Sequence, residues 1–410
     1  MQGIWLFQYV SAVRGPLGAW LRQRLRRATP PATRVAIVAL FTLAAGTPLV
    51  HAGVVNPDIS VLGQPFFRWT DDAADPSAKR ATLKQGEVEM VFDSYLNPYA
   101  RGFFVASLGE SGLELEEGYF TLLRGLPGDL QLKGGKYRVN VGKLNVMHPH
   151  ALPFAERPRV MSTYLPGAES LNEAGLSISG RIPLPGTFSL TAAGDWLQGD
   201  SYRIARESSG DLSDPLVSNS ALGDRGSEPR PAFAGNLSGF GMFGERSGYE
   251  LSLSGTGGTN NVAAGTTTRV YDAAGKLKYW TKPNSYLLVQ AEFLKLDRED
   301  AGWDVANTRY THTRVNPAGF YAFADYNFSP RYDAGALLER YQQPTAAKAW
   351  DQAFGAFVGL SLMEESTSFR LDWNHFMPGA PSGATSDPKA INTVTMRVVY
   401  SMGPHKAHQF

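Results

Sequence analysis

The feature that most constrains this chain is a period-two alternation of apolar and polar side chains that returns along most of its length. From Glu173 to Ile182, Leu176, Ile178 and Ile182 share one parity, while Glu173, Ser177, Ser179 and Arg181 share the other. Phe188, Leu190, Ala192 and Trp196 oppose Ser189, Thr191 and Asp195, and Tyr249, Leu251 and Leu253 oppose Glu250, Ser252 and Ser254. Phe369, Leu371 and Trp373 alternate with Arg370, Asp372 and Asn374, and Val394, Met396, Val398 and Tyr400 with Thr393, Thr395, Arg397 and Ser401. Successive side chains of a strand point to opposite faces, so each stretch reads as a strand with one dry and one wet face. Beyond Gly53 no stretch approaches the ~20 apolar residues of a membrane helix.

Alternation alone also suits a soluble sandwich. The connections decide between the two. Strands are expected at 58–69, 84–95, 99–108, 113–124, 129–140, 172–182, 187–197, 232–243, 248–258, 267–281, 284–296, 317–328, 331–341, 350–362, 366–376 and 391–402. Connections after even-numbered strands are tight and rich in turn formers, such as Asn97-Pro98, Gly125-Leu126-Pro127-Gly128, Lys282-Pro283, Ser329-Pro330 and Glu364-Glu365-Ser366. Those after odd-numbered strands are mostly long and polar: 70–83, 141–171, 198–231, 297–316 and 377–390, with 109–112 the short exception and the Gly-rich stretch 255–265 read as an outer loop. Strict short and long alternation is what a membrane barrel needs, and closed pairing is how strands satisfy their backbone groups in lipid. The expected fold is therefore all-β: a transmembrane antiparallel β-barrel of about 16 strands, with short periplasmic turns, long extracellular loops and outer-membrane lipid around it. Aromatics at strand ends (Tyr95, Tyr99, Trp196, Tyr249, Trp280, Tyr286, Phe328, Tyr332, Trp350) would form interfacial girdles. A bore of that size, lined by polar side chains, leaves room for a water-filled channel.

Composition narrows the choice further. The absence of Cys removes disulfides, thiolate metal sites and a Cys nucleophile. Arg14, Arg22, Arg24, Arg26, Arg27 and Arg34 precede Gly53 with no acidic residue among them; taking these six from the 39 basic residues leaves 33 against 38 acidic. A mildly acidic remainder without a basic stripe argues against nucleic acid as a partner. The apolar run 35–45, the breakers Gly46 and Pro48, and then Val50-His51-Ala52 read as a signal peptide over 1–52, leaving a barrel over 53–410.

The stretches Asn56-Pro57-Asp58-Ile59-Ser60-Val61, Lys136-Tyr137-Arg138-Val139-Asn140-Val141-Gly142-Lys143-Leu144-Asn145 and His148-Pro149-His150-Ala151-Leu152-Pro153-Phe154 resemble outer-membrane porins of the phosphate-selective (O and P type) superfamily, in a branch sometimes labelled zinc-regulated outer-membrane receptor. The likeness is specific between about Ile59 and Gly180. It implies a sixteen-stranded homotrimeric channel for small hydrophilic solutes, in which the third outer loop folds inward and narrows the pore. That loop is 141–171, and its Lys143, His148, His150, Glu156, Arg157 and Arg159 would set an electrostatic filter. Lys136, Arg138 and Arg181 are expected to point into the lumen, with Glu87, Glu89, Asp195, Glu292, Asp325, Glu339 and Asp372 as opposing charge. Phe410 matches the terminal Phe that the barrel-assembly machinery reads in many barrels.

Enzymatic signals are weak. There is no G-x-S-x-G elbow and no H-E-x-x-H, and a Ser-His pair built on His312 or His375 would have to assemble from separate strands. An adhesive or structural barrel is the other alternative. His148 with His150, and His405 with His408, each offer two imidazoles, but a tetrahedral site needs three or four ligands, so neither a metal nor any other cofactor is expected.

Overall fold

The computed structural model describes residues 57–403, apart from 111, 168–170, 185, 204–229, 263, 305, 308, 346–347, 363–365 and 381–387. The proposed signal peptide (1–52), Asn56, His405, His408 and Phe410 lie outside the described residues, as do Glu364 and Glu365.

Among the described residues every strand joins one antiparallel sheet that closes on itself. The first stave consists of β1 (Asp58–Gly63) and β2 (Phe66–Thr70), and the second of β3 (Thr82–Lys84) and β4 (Val88–Asn97). Next come β5 (Ala100–Gly109), β6 (Gly112–Leu122), β7 (Gln131–Arg138), β8 (Asn172–Pro183) and β9 (Ser189–Leu197). They are followed by β10 (Ala232–Phe243), β11 (Ser247–Asn261), β12 (Thr266–Lys282) and β13 (Ser285–Asp304). The twelfth stave consists of β14 (Arg309–Val315) and β15 (Ala318–Ser329); β16 (Tyr332–Gln342), β17 (Trp350–Ser361), β18 (Thr367–Met377) and β19 (Ile391–Met402) complete the wall. Counted as staves these segments make the sixteen that alternation predicts. Two of the breaks fall at Pro65 and Pro317, which have no N–H for the ladder. Their carbonyls still accept from the amides of Val398 and Leu296, so pairing resumes beyond them. The barrel closes where β19 pairs with β1 (Gly63↔Tyr400) and with β2 (Thr70↔Thr393).

The two faces separate by parity. Leu251, Leu253, Tyr271, Phe293, Val358 and Leu371 are outward and 48–63% exposed, whereas Ser252, Asp272, Glu292, Glu339 and Asp372 are inward and buried. A continuous apolar outer band with polar groups hidden inside is the inverse of a water-soluble surface, and it fits a wall in contact with lipid. Rings gather at the short-turn ends, where the Trp280 and Tyr286 centroids are 5.0 Å apart and those of Tyr326 and Phe328 4.8 Å apart.

Three expectations need correction. Residues 297–316 are mostly not loop: β13 runs on to Asp304 and pairs with β14, from Arg298↔Val315 to Asp304↔Arg309. Tyr310, Thr311, Thr313 and Val315 supply β-formers there, but with Arg and His interleaved they leave no apolar face for the pattern to register. The stretch 255–265 is likewise mostly strand, since β11 continues to Asn261 against β12. The lumen is also not uniformly polar. Leu144, Leu152, Phe154, Val160, Met161 and Tyr164 of the 139–171 segment pack on inward Leu294, Tyr321, Phe323, Leu337, Tyr341 and Phe357, so a hydrophobic core sits inside the barrel.

Candidate functional site

The segment between β7 and β8 enters the barrel and touches several of its walls. Its neck is closed by Asn145, whose Nδ2 donates to the carbonyls of Val139 (2.6 Å) and Leu171 (3.0 Å), while its Oδ1 accepts from the Leu171 amide (2.8 Å). Beyond the neck the chain turns at Gly142, whose φ of 68° lies in the left-handed region and where a Cβ would collide with the Glu292 carboxylate. That closeness lets Glu292 accept from the amides of Lys143 (2.8 Å) and Leu144 (3.0 Å), while Gly142 donates to Ser254 Oγ (2.9 Å). Lys143 Nζ pairs with Glu250 and lies 3.3 Å from Ser238 Oγ.

The segment then crosses to the wall of β4 and β6. A 3-10 turn at Pro149–Ala151 presents His148 and His150 there. His148 Nε2 meets Glu117 Oε1 at 2.7 Å, and His150 Nδ1 meets Glu89 Oε1 at 2.9 Å. Burial alone would lower the His148 pKa, but contacts with Glu116, Glu117 and Glu89 outweigh it and hold the imidazole well above its ordinary value.

The return leg lies against β18 and β19. Arg397 donates to the carbonyls of Pro149 (2.8 Å), Leu152 (2.9 Å) and Phe154 (3.1 Å), Arg370 to that of Pro153 (3.1 Å), and the Ala155 amide reaches Asp372 Oδ1 at 3.0 Å. Prolines suit such a run, because they expose carbonyls without leaving an amide to satisfy. A short helix, α1 (Arg159–Tyr164), ends it. Arg159 pairs with Glu339 (3.3 Å) and Asn374 (3.0 Å), and the Tyr164 hydroxyl donates to the Gln342 carbonyl at 2.8 Å. Val160 lies over β15 at Gly319, where a Cβ would crowd both it and Tyr341. Phe154 packs edge-on against Phe323 (5.2 Å) and Phe357 (5.9 Å).

Of the anticipated filter residues, Lys143, His148, His150 and Arg159 each meet a wall carboxylate, and Glu156 lies 3.6 Å from Arg68 and 3.8 Å from Arg159. Arg157 does something else, turning back to the carbonyls of Leu144 and Met147 and bracing the segment internally. Arg181 has the lumen-facing parity of Ser177 and Ser179 but sits near the short turn after Pro183, away from the segment. Lys136 and Arg138 reach the barrel interior, but not by strand parity. Gly134 pairs with outward Leu176, so Lys136 and Arg138 share the outer parity. They escape the lipid-facing position because β6 stops pairing with β7 at Gly118↔Lys136, and their heads turn to Glu114 (3.8 Å) and Glu116 (2.8 Å).

Alternation assigned no role to Arg68, Arg370, Arg397, Glu116, Glu117 or Asn145. The inward parity of Arg370 and Arg397 was readable in β18 and β19. The joint inward placement of Glu116 and Glu117 was not, since it follows from a bulge opposite Val105 and Ala106. His375 shares the outward parity of Leu371 and Trp373, and its Nδ1 lies 2.9 Å from Asn392 Oδ1. Beside the segment, toward β1–β7, remains a cavity of about 1060 Å³ lined by side chains of both signs, among them Arg68, Lys84, Glu87, Glu110, Glu156 and Arg397.

A sixteen-stave wall with the β7–β8 connection folded inside can be set against known proteins. No protein-family model matches the chain. An uncharacterized protein of Aquifex aeolicus is 34% identical over 113 residues, which span 28% of this chain and 23% of that relative's length. Among solved structures, the anion-selective porin from Comamonas acidovorans superposes with a TM-score of 0.53 over 85% of this chain and 100% of its own, at 10% identity. The fold is a porin fold. The outer membrane channel DcaP of Acinetobacter baumannii (TM-score 0.53, 11% identity, 85% and 99% coverage) and a loop-deletion mutant of OmpT of Vibrio cholerae (0.51, 10%, 85% and 99%) share this porin architecture.

Proposed function

We propose that this protein is a bacterial outer-membrane porin through which small hydrophilic solutes or ions diffuse passively, with no covalent step and no required cofactor. The observation that carries the reading is the 139–171 segment lodged inside a sixteen-stave barrel, beside a cavity of mixed charge along β1–β7. In this reading 141–171 is the constriction, and Lys143, His148, Glu156 and Arg159 grade the field at its edge together with Arg68 and Arg397. Residues 1–52 serve export, Phe410 addresses the assembly machinery, and the mature barrels associate as trimers. The 136–154 stretch supports a place in the phosphate-selective superfamily.

Planar-bilayer recording tests the proposal. Purified protein, shown to be folded by its heat-modifiable migration, should give discrete conductance steps, and Arg68→Glu should move the reversal potential in a salt gradient toward cation preference. Folded protein that leaves the bilayer silent would refute it.

A further inference from the structure

The contact between the segment and the β4–β6 wall gathers more side chains than a tether requires. With Nε2 held by Glu117, the His148 ring points Nδ1 at two carboxylate oxygens, Glu89 Oε2 at 3.1 Å and Glu116 Oε2 at 3.2 Å. Both His148 Nδ1 and Glu89 Oε2 are fully buried, and the 3.1 Å ion pair between them is not directed as a hydrogen bond. Glu89 Oε1 meanwhile meets His150 Nδ1 at 2.9 Å, and one ligand atom from each of Glu89, His148 and His150 lies within 4.8 Å of the other two.

These distances have a chemical reading. Ligand atoms bound at 2.0–2.1 Å to a tetrahedral ion stand about 3.3 Å apart, close to the spacing of His148 Nδ1 from both oxygens. An imidazole whose second nitrogen is fixed by a carboxylate, here Glu117, is also how metal-ligating histidines are commonly oriented. Charge points the same way. Glu89, Glu116 and Glu117 each meet His148, Glu89 also meets His150, and Arg138 lies 2.8 Å from Glu116, so the two rings sit among carboxylate donors that suit a cation.

We propose that His148, His150 and Glu89 bind a divalent transition-metal ion, with Glu117 orienting His148. Two imidazoles with carboxylates suit zinc, copper or nickel, whereas calcium and magnesium select oxygen alone. The bound ion would staple the segment to β4. Its binding requires no current through the barrel, so it stands or falls separately from the transport reading.

The test is calorimetric titration of ZnCl2 into untagged, chelator-stripped, full-chain protein in detergent, paralleled by cobalt(II) absorption. One ion per chain is expected, with the visible band of a mixed nitrogen and oxygen site of low coordination number. His150→Ala and the near-isosteric Glu89→Gln should each weaken binding by about 100-fold, comparable with or larger than the loss of an orienting partner. His405→Ala/His408→Ala should leave binding unchanged. Folded protein that takes up no stoichiometric zinc overturns the proposal, as does affinity that survives His148→Ala/His150→Ala or disappears with His405 and His408. Because Glu89→Gln keeps the shape of the wall, the test holds even where a histidine variant fails to fold.

Discussion

A guanidinium can hold several carbonyls at once only if the chain bends around it, and Arg397 is used in this way. It reaches Pro149, Leu152 and Phe154 from the inner face of β19. Replacing it with Ala would strand the carbonyls of buried Leu152 and Phe154, each costing about 1–3 kcal/mol if water cannot reach it, and free that of Pro149 at the cavity edge. Arg397→Ala should therefore lower the urea midpoint of barrel unfolding and make the open-channel current noisier. Arg397→Lys should recover little of either, because an ammonium lacks the planar fork; an unchanged midpoint in the Ala variant would remove Arg397 as an anchor. At this scale the sequence was only partly readable. Parity placed Arg370 and Arg397 on the wet face, but which carbonyls they hold depends on a segment more than 200 residues away in the chain. Asn145 gave no signal at all, since one amide closing a neck has no periodicity.

The elements were far more legible, because each stave repeats the same two-residue rule and its turns repeat the same chemistry. Boundaries failed where apolar residues gave out, as in β14, while hydrogen bonding continued. The 141–171 stretch was readable as a long connection between strands but not as a packed body. Its apolar side chains follow neither a period of two nor one of 3.6, and the partners that bury them lie on distant strands. This packing is testable. Phe154→Ala deletes a ring that contacts Phe323 and Phe357, a loss of about 3–5 kcal/mol for a well-buried aromatic. The segment should then become cleavable by protease in barrels that still migrate as folded, whereas resistance equal to that of the parent would mean that the polar tethers alone hold it.

For the whole molecule, the faces of the wall make opposite demands on neighbouring residues. Ile178 is outward and 48% exposed, and Ser179, the next residue along β8, faces the lumen. Arginine at 178 should cost about 2–4 kcal/mol near the bilayer midplane, while at 179 it should be almost neutral. Denaturant titration of folding into liposomes distinguishes them, and equal costs would contradict the assignment of faces. The inner core has a bearing on how such a wall holds together. The residues packing against 139–171 come mainly from β12 to β17, which follow it in the chain, and the arginine that clasps it belongs to β19, the strand that meets β1 and β2. The seam of the cylinder and the hold on its contents therefore share a strand: a change that loosens β19 weakens the closure and the clasp together.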